Sequence, residues 1–244
     1  MIKSTISRLF RNVIQNFGYA KRFAFVSMST TLAMKRIAAR GIRINTVIDV
    51  GASNGSWSLA ARQCWPDAHY HLVEANIQHQ AALEAVCGAA PRFSYVLAAA
   101  SDEPGTIYFD GSDTFGGLAM KGPSADRPGV KGVPAVTLDG EMKSRGLAGP
   151  YLVKLDTHGF EVPILNGARQ VLAGANLVVI ETYNFRLETD SLKFWEMCRF
   201  MDELGFGVID ISEPLWRPKD DAFWQIDLLF IPKTRPEFSY NRYA

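Results

Sequence analysis

Eleven residues near position 50 constrain this chain more than any other stretch. Val47-Ile48-Asp49-Val50 is a short apolar, β-branched run. Gly51-Ala52-Ser53-Asn54-Gly55 follows without a break, and Ser56-Trp57 opens a segment of helical spacing. Strand, glycine-rich turn and helix, in that order, form the opening unit of a parallel α/β sheet, whose ligands collect at the carboxyl ends of its strands. Glycine at 51 and 55 lets the backbone turn sharply and approach a ligand closely.

The rest of the chain keeps this rhythm. Strands are expected at Thr46–Val50, Tyr70–Glu74, Phe93–Ala98, Tyr151–Leu155, Leu177–Glu181, Phe206–Ile211 and Ile226–Ile231. Helices are expected at Trp57–Cys64, Gln78–Cys87, Phe160–Leu172 and Ser191–Leu204, the last capped by Thr189 or Asp190. Strands alternating with helices argue for a doubly wound α/β sheet covered on both faces. The expected division is a basic helical extension over 1–45, a catalytic domain over 46–232 and a tail over 233–244. Residues 110–134, with six Gly and three Pro, read as a mobile insertion near the site.

Composition excludes several classes. Three cysteines, Cys64, Cys87 and Cys198, make neither a disulfide framework nor a metal clip, which suits a reducing compartment. No apolar run is long enough to span a membrane, and no compact apolar segment at the start suggests a cleavable signal. The expected location is therefore cytoplasmic. Nine of the 26 Lys and Arg lie within residues 1–48, with no acid among them, leaving 17 basic against 25 acidic residues in the remainder. An acidic body without a basic, aromatic stripe argues against nucleic acid as partner. Ile2, Ile6, Leu9, Phe10, Val13, Ile14 and Phe17 make one helical apolar stripe flanked by Lys3, Arg8 and Arg11. Residues 2–17 either cover the edge of a core or lie on an anionic membrane surface from the inner side.

Three ligands compete for the first turn. A dinucleotide favours G-x-G-x-x-G, but position 53 is Ser and Asp49 would repel a pyrophosphate. A serine hydrolase is the second reading, since Gly51-Ala52-Ser53-Asn54-Gly55 matches G-x-S-x-G, with Ser53, Asp102 and His158 in Ser–Asp–His order. No oxyanion loop precedes it, however. S-adenosylmethionine is the third. Its cationic end suits Asp49, and Glu74, at the end of the next strand, is placed to accept both ribose hydroxyls.

At this point the chain resembles a known group. Val47–Trp57 is similar to motif I of the class I methyltransferases. Leu152-Val153-Lys154-Leu155-Asp156-Thr157-His158-Gly159-Phe160-Glu161, followed by Leu165-Asn166-Gly167-Ala168, resembles the K-I-D-V-E-G-x-E…L-x-G-A segment of the FkbM family. Ala99–Thr106 resembles its A-L-S-D-x-x-G-x stretch. Val136-Thr137-Leu138-Asp139 and Gln225-Ile226-Asp227-Leu228-Leu229-Phe230 match later landmarks, so the resemblance covers about residues 45–232. It departs at His158, where the family often has Glu. The resemblance implies a seven-stranded, mostly parallel Rossmann-like methyltransferase sheet whose last two strands are antiparallel. It also implies S-adenosylmethionine as donor and oxygen as the methylated atom. Asp49, Gly51, Ala52 and Gly55 would then line the methionine end, Glu74 the ribose, and Ser101 and Asp102 the adenine.

On the acceptor side, a hydroxyl is a poor nucleophile while protonated, so a base is needed. Asp156 and His158, at the end of the fourth main strand, are the acid–histidine pair placed for it. Alternatively, Asp156 pairs with Lys154 and His158 merely caps the next helix. A metal reading also stands: Asp156, Glu181 and Asn184 could hold Mg²⁺ by oxygen ligation. His69 and His71 share one side of a strand without a third ligand. Tyr183, Phe185, Trp216, Phe223 and Trp224 lie in or beside loops, where ring faces can stack on sugars. The Trp216–Trp224 segment would join the last two strands. The acceptor expected from the family's range is a sugar hydroxyl in a glycan, glycolipid or lipo-oligosaccharide, such as the 2-hydroxyl of a deoxyhexose in nodulation-type signals. A polyketide-type metabolite is the alternative, and a non-catalytic nucleotide-binding module is the rival from another class.

Overall fold

The computed structural model describes residues 28–114, 116–122 and 129–243. The expected stripe at residues 2–17 lies outside them. Five parallel strands form the centre of a seven-stranded sheet: β1 (Thr46–Val50), β2 (His69–Glu74), β3 (Phe93–Leu97), β8 (Tyr151–Leu155) and β9 (Ala175–Tyr183). β10 (Phe206–Trp216) and β11 (Phe223–Pro232) complete it, in the order β10-β11-β9-β8-β1-β2-β3, with β11 antiparallel to both of its neighbours.

Side-chain alternation along each strand feeds two cores, one per face. Ile48, Val50, Val153, Leu155, Val178 and Ile180 point to one face. α4 (Leu138–Arg145), α5 (Glu161–Asn166), α6 (Arg169–Ala173) and α7 (Phe194–Glu203) cover it through Met142, Ile164, Leu172 and Met201. Val47, Leu152, Leu177 and Val179 point to the other. There α1 (Thr30–Ala38), α2 (Ser56–Ala61) and α3 (Gln80–Ala89) pack through Met34, Ile37, Ala61 and Leu83. Because both faces are covered, β1 is buried at every position, which is why it reads as a near-continuous apolar and β-branched run broken by Asp49. α1 is further tied down by Arg36, which grips Asp210 with two hydrogen bonds of 2.7 and 2.9 Å. β1 has β2 on one side and β8 on the other. Strand order reverses there, and a crevice opens beyond the carboxyl ends.

Three expectations are corrected. The described part of residues 110–134 does lie beside the site, but it carries strands where a strandless insertion was expected. β5 (Gly105–Asp110), β6 (Leu118–Met120) and β7 (Val130–Val136) join β4 (Ala99–Ala100) in a second sheet, ordered β4-β7-β5-β6. Gly132 and Pro134 hid β7. Pro134 is tolerated because β4 pairs only with Ala135 and Val136, so at Pro134 β7 has a partner on one side only. The expected helix over 160–172 is two helices, because the chain at Gly167 passes so close to Ser101 that a Cβ would stand 2.1 Å from its carbonyl oxygen. The second helix gets its N-terminal partners from afar: the Asp139 carboxylate accepts from Gln170 N and Val171 N at 3.0 and 2.8 Å. α7 is capped neither by Thr189 nor by Asp190. Its N-cap is Lys193, whose amide donates to Glu196 Oε2 at 2.9 Å. The Trp216–Trp224 segment does join the last two strands, as the turn of a long β10–β11 hairpin in which Trp216 pairs with Phe223.

Candidate active site

The turn after β1 is shaped by contact from both sides. Gly51 has φ +72°, and a Cβ there would stand 2.0 Å from the Asp156 carbonyl oxygen, so the ends of β1 and β8 touch only because residue 51 has no side chain. Glu74, at the end of β2, clamps the turn by accepting from Ser53 N at 2.6 Å and from Asn76 N at 2.7 Å. Burial pushes its pKa up, and those two amide hydrogen bonds oppose the shift. A cavity of about 270 Å³ opens here, lined by Gly51, Ser53, Glu74, Asn76 and His79, by Phe109 and Gly117 of the second sheet and its approach, and by Asp156, His158 and Glu181. Asn76 is 5% exposed. Its Oδ1 accepts from Gln78 N, while its Nδ2 has no hydrogen-bond partner among the described residues. A buried donor left open at a cavity wall is a place for a ligand acceptor.

Beneath the turn lies a buried charge relay. Asp49 is fully buried, accepts from Ser58 Oγ at 2.7 Å, and lies 3.3 Å from Lys154 Nζ. The same ammonium reaches Asp156 Oδ2 at 3.1 Å and donates to Gly51 O at 3.2 Å. Burial raises the Asp49 pKa, with Lys154 opposing. For Lys154, burial works against the charge, but Asp49 and Asp156 outweigh it and hold the ammonium above its ordinary value. For Asp156, burial is outweighed by Lys154 and His158, and its carboxyl stays below the ordinary range. Glu181 behaves oppositely: burial, then the charge of Asp156, pushes it up to about 9, so it keeps its proton at neutral pH. Tyr183 Oη donates to Glu181 Oε2 and Gln225 Nε2 to its Oε1.

His158 stands at a tight turn with φ +51°, held by Glu161. The buried Glu161 carboxylate accepts from Gly159 N at 2.9 Å and from Thr157 Oγ1 at 3.1 Å. The imidazole Nε2 lies 3.5 Å from Asp156 Oδ1 and 3.6 Å from Glu181 Oε2, and Nδ1 is 3.0 Å from the Gly117 carbonyl oxygen.

A second cavity, about 430 Å³, lies on the other side of Asp156 and Glu181, which line both. α1 contributes Thr30 and Met34, α2 Trp57, β10 Glu213 and Leu215, and β11 Gln225 and Asp227. No Lys or Arg is among its lining residues within the described part of the chain. Asp227 accepts from Thr30 Oγ1 and Ser212 Oγ at 3.2 and 3.3 Å. Burial, then the charge of Asp156, pushes it up to about 6. Glu213 sits at a β-bulge with φ +46° and accepts from Thr30 N at 2.8 Å.

The expected residues thus divide. Gly51, Glu74, Asp156 and His158 share the first cavity. Asp49 lies beneath it and holds Lys154, Ala52 is buried, and Gly55 packs against Leu72 with φ +78°. Ser101 and Asp102 are not among the residues that line it. Ser101 is buried, and Asp102 pairs with Lys121 at 2.6 Å. Ser53, Asp102 and His158 do not form a triad. Ser53 Oγ instead lies 3.4 Å from His79 Nε2, and that nitrogen bonds the Thr114 carbonyl at 2.8 Å, so it carries a hydrogen and cannot take one from Ser53. Asn184 lines neither cavity, and its Nδ2 donates to Phe223 O at 3.1 Å. The groups that do converge are Asp156, His158 and Glu181, with one ligand atom from each within 4.8 Å. Lys154 already supplies a cation to Asp156 there. His71 is buried and bonded to Ser94 Oγ at 2.9 Å; burial, then the charge of Arg145, lowers its pKa to about 3. Asn76, Trp57, Gln225, Thr30 and Gly117 were not singled out from sequence. Only Asn76, two residues beyond Glu74, carried a usable signal.

The profile of the methyltransferase FkbM domain matches residues 49–208. No curated protein matches the chain significantly in sequence. Among solved structures, the chain is similar to methyltransferase FkbM from Methylobacillus flagellatus KT, with 12% identity and a TM-score of 0.47. That match covers 88% of this chain and 47% of the other, so this chain spans about half of that relative's length. It is similar to precorrin-6y C5,15-methyltransferase from Geobacter metallireducens GS-15, with 11% identity, 84% and 89% coverage and a TM-score of 0.45. It is also similar to 1,6-didemethyltoxoflavin-N1-methyltransferase from Burkholderia thailandensis, solved with S-adenosylhomocysteine, with 12% identity, 94% and 89% coverage and a TM-score of 0.44.

Proposed function

The chain belongs to the FkbM methyltransferase family, and we propose that it moves a methyl group from S-adenosylmethionine to a hydroxyl oxygen on a sugar-containing acceptor, such as a glycan, glycolipid or lipo-oligosaccharide. The observation that carries this reading is the seam between the two cavities, where Asp156 and Glu181 line both and His158 stands beside them. In-line transfer needs donor and acceptor to approach from opposite sides, with a proton acceptor where they meet.

The residues of the first cavity fit the donor. Glu74 offers a carboxylate for the ribose, and the open Nδ2 of Asn76 offers a hydrogen to an acceptor atom of the adenosine. Lys154 lies below, its charge matched by Asp49 and Asp156, so the floor does not repel a cation. When bound, S-adenosylmethionine supplies an electrophilic methyl on a sulfonium. In this reading His158 takes the acceptor's proton at Nε2, Asp156 stabilises the resulting imidazolium, and the protonated Glu181 positions the acceptor oxygen. The second cavity offers carboxyl, amide and hydroxyl groups together with the apolar surfaces of Trp57 and Leu215. Such a wall favours a neutral polyol or an amino-bearing ring and disfavours a phosphorylated or carboxylated one.

Calorimetry with S-adenosylhomocysteine tests the donor half, and absence of binding would end the reading. Mass spectrometry of glycans and lipids from cells with and without the gene tests the acceptor half. The expected result is the gain of one CH₂ unit on a sugar fragment. A gain on a sugar-free metabolite would overturn the sugar assignment.

A further inference from the structure

We propose that Gly117 is a positioning residue for the reaction: its carbonyl oxygen fixes the His158 ring so that Nε2, facing the seam, is the nitrogen left basic. This rests on His158 being the proton acceptor in the function proposed above.

The argument begins with the 3.0 Å contact between His158 Nδ1 and Gly117 O. A carbonyl oxygen only accepts, so Nδ1 must carry the hydrogen, and a neutral ring then has its lone pair on Nε2. Left to itself, the ring would choose the other way. Asp156 Oδ1 lies 3.5 Å from Nε2 and Glu181 Oε2 lies 3.6 Å away. The charged Asp156 favours a hydrogen on Nε2, and a ring so protonated cannot take a proton from a hydroxyl. Gly117 therefore opposes Asp156 in the resting state. Once the proton has moved from the acceptor oxygen to Nε2, the two act together, because the imidazolium then donates to Gly117 O from Nδ1 and faces the Asp156 carboxylate from Nε2. Other charged and titratable groups near the ring are Glu161, which holds its turn, Tyr183, whose ring centroid is 6.3 Å away, and Lys154 behind Asp156.

Two features hold the carbonyl in place. Gly117 directly precedes β6, which is paired to β5 through Phe109↔Ala119 and Asp110↔Leu118. Gly117 also packs against the tip of the Phe109 ring: a Cβ at 117 would stand 2.3 Å from Phe109 Cζ, so a side chain there forces the ring or this segment to shift. Further along the same approach, Gln78 Nε2 donates to Gly111 O at 3.0 Å and His79 bonds Thr114 O at 2.8 Å.

The experiment is two-bond ¹H–¹⁵N correlation NMR on histidine-labelled full-length protein at alkaline pH. The chain has only four histidines, and His158→Gln identifies the signal. The native ring is expected to show the Nδ1–H tautomer. Gly117→Ala is expected to lose it in favour of Nε2–H. Gly117→Ala with Phe109→Leu, which removes the obstructing ring atoms, is expected to restore it. An Nε2–H or doubly protonated ring in the native protein overturns the proposal, as does a Gly117→Ala spectrum unchanged from native or a double variant that fails to recover. If Gly117→Ala does not fold, the native spectrum still decides. S-adenosylhomocysteine binding, measured on the same native sample, reports separately on the methyltransferase reading. Its failure would leave the tautomer result intact but without a reaction to serve.

Discussion

Replacing Lys154 by Met removes the cation beneath the turn while keeping roughly the volume of its stem. Lys154 is 6% exposed and its ammonium lies within 3.3 Å of both Asp49 and Asp156. Asp156 is partly exposed and can turn to water. Asp49 is fully buried, and among the described residues Ser58 remains as its hydrogen-bond donor. Removing one partner of a buried ion pair costs about 3–5 kcal/mol, because the other charge is left without compensation. That is a large part of a typical domain's stability of roughly 5–15 kcal/mol. Burial already raises the Asp49 pKa and Lys154 is the chief influence lowering it, so the variant raises it further. A carboxyl whose folded pKa is raised contributes stability that is present below its unfolded pKa and lost as pH rises through the folded one. The deficit relative to the native chain is therefore smallest in acid and grows toward neutral pH. Urea unfolding across a pH series reads it directly. The double variant Asp49→Asn with Lys154→Met should recover at least about 1 kcal/mol at neutral pH, since no buried charge then remains at position 49. A neutral-pH loss below about 1 kcal/mol, or one that does not change with pH, would refute the reasoning.

Three further outcomes are expected. Glu74→Gln turns an NH₂ toward one of the two amide donors that the carboxylate now accepts from, and S-adenosylhomocysteine affinity measured by calorimetry should fall roughly 10- to 100-fold, from hydrogen bonds to a charged group worth about 1.5–3 kcal/mol; an unchanged affinity would remove Glu74 from the donor site. His158→Gln should lower turnover by on the order of 10²–10⁴-fold, the usual contribution of a general base, while S-adenosylhomocysteine still binds; equal loss of both would mark His158 as structural. Because Glu181 is pushed from 4.5 to about 9, it draws stability down as pH rises across that window, and Glu181→Gln should flatten the decline in chemical denaturation curves; an unaltered slope would place its proton elsewhere.

Local sequence determined a good deal of this protein. The run from Val47 to Gly55 announced its strand and turn because β-branching, burial on both faces and glycine φ freedom act within a few residues. Glu74 was visible as the acid that ends the second strand, and Asp156 and His158 as an acid–histidine pair beyond another. What stayed hidden depends on chain segments far apart in sequence. The split at Gly167 comes from the Ser101 carbonyl, and the start of α6 from Asp139, neither of which periodicity can register. The second sheet escaped notice because Gly132 and Pro134 weaken the strand signal that pairing with β5 restores. Asp49 read as a ligand for a cation, and it is one, but the cation is Lys154 from a neighbouring strand. The seam between the cavities exists only once α1, β8, β9, β10 and β11 have been brought side by side. Residue type and spacing set which groups can do chemistry; which nitrogen of His158 faces Asp156, and which carboxyl keeps its proton, follow from distances and burial that only the folded chain possesses.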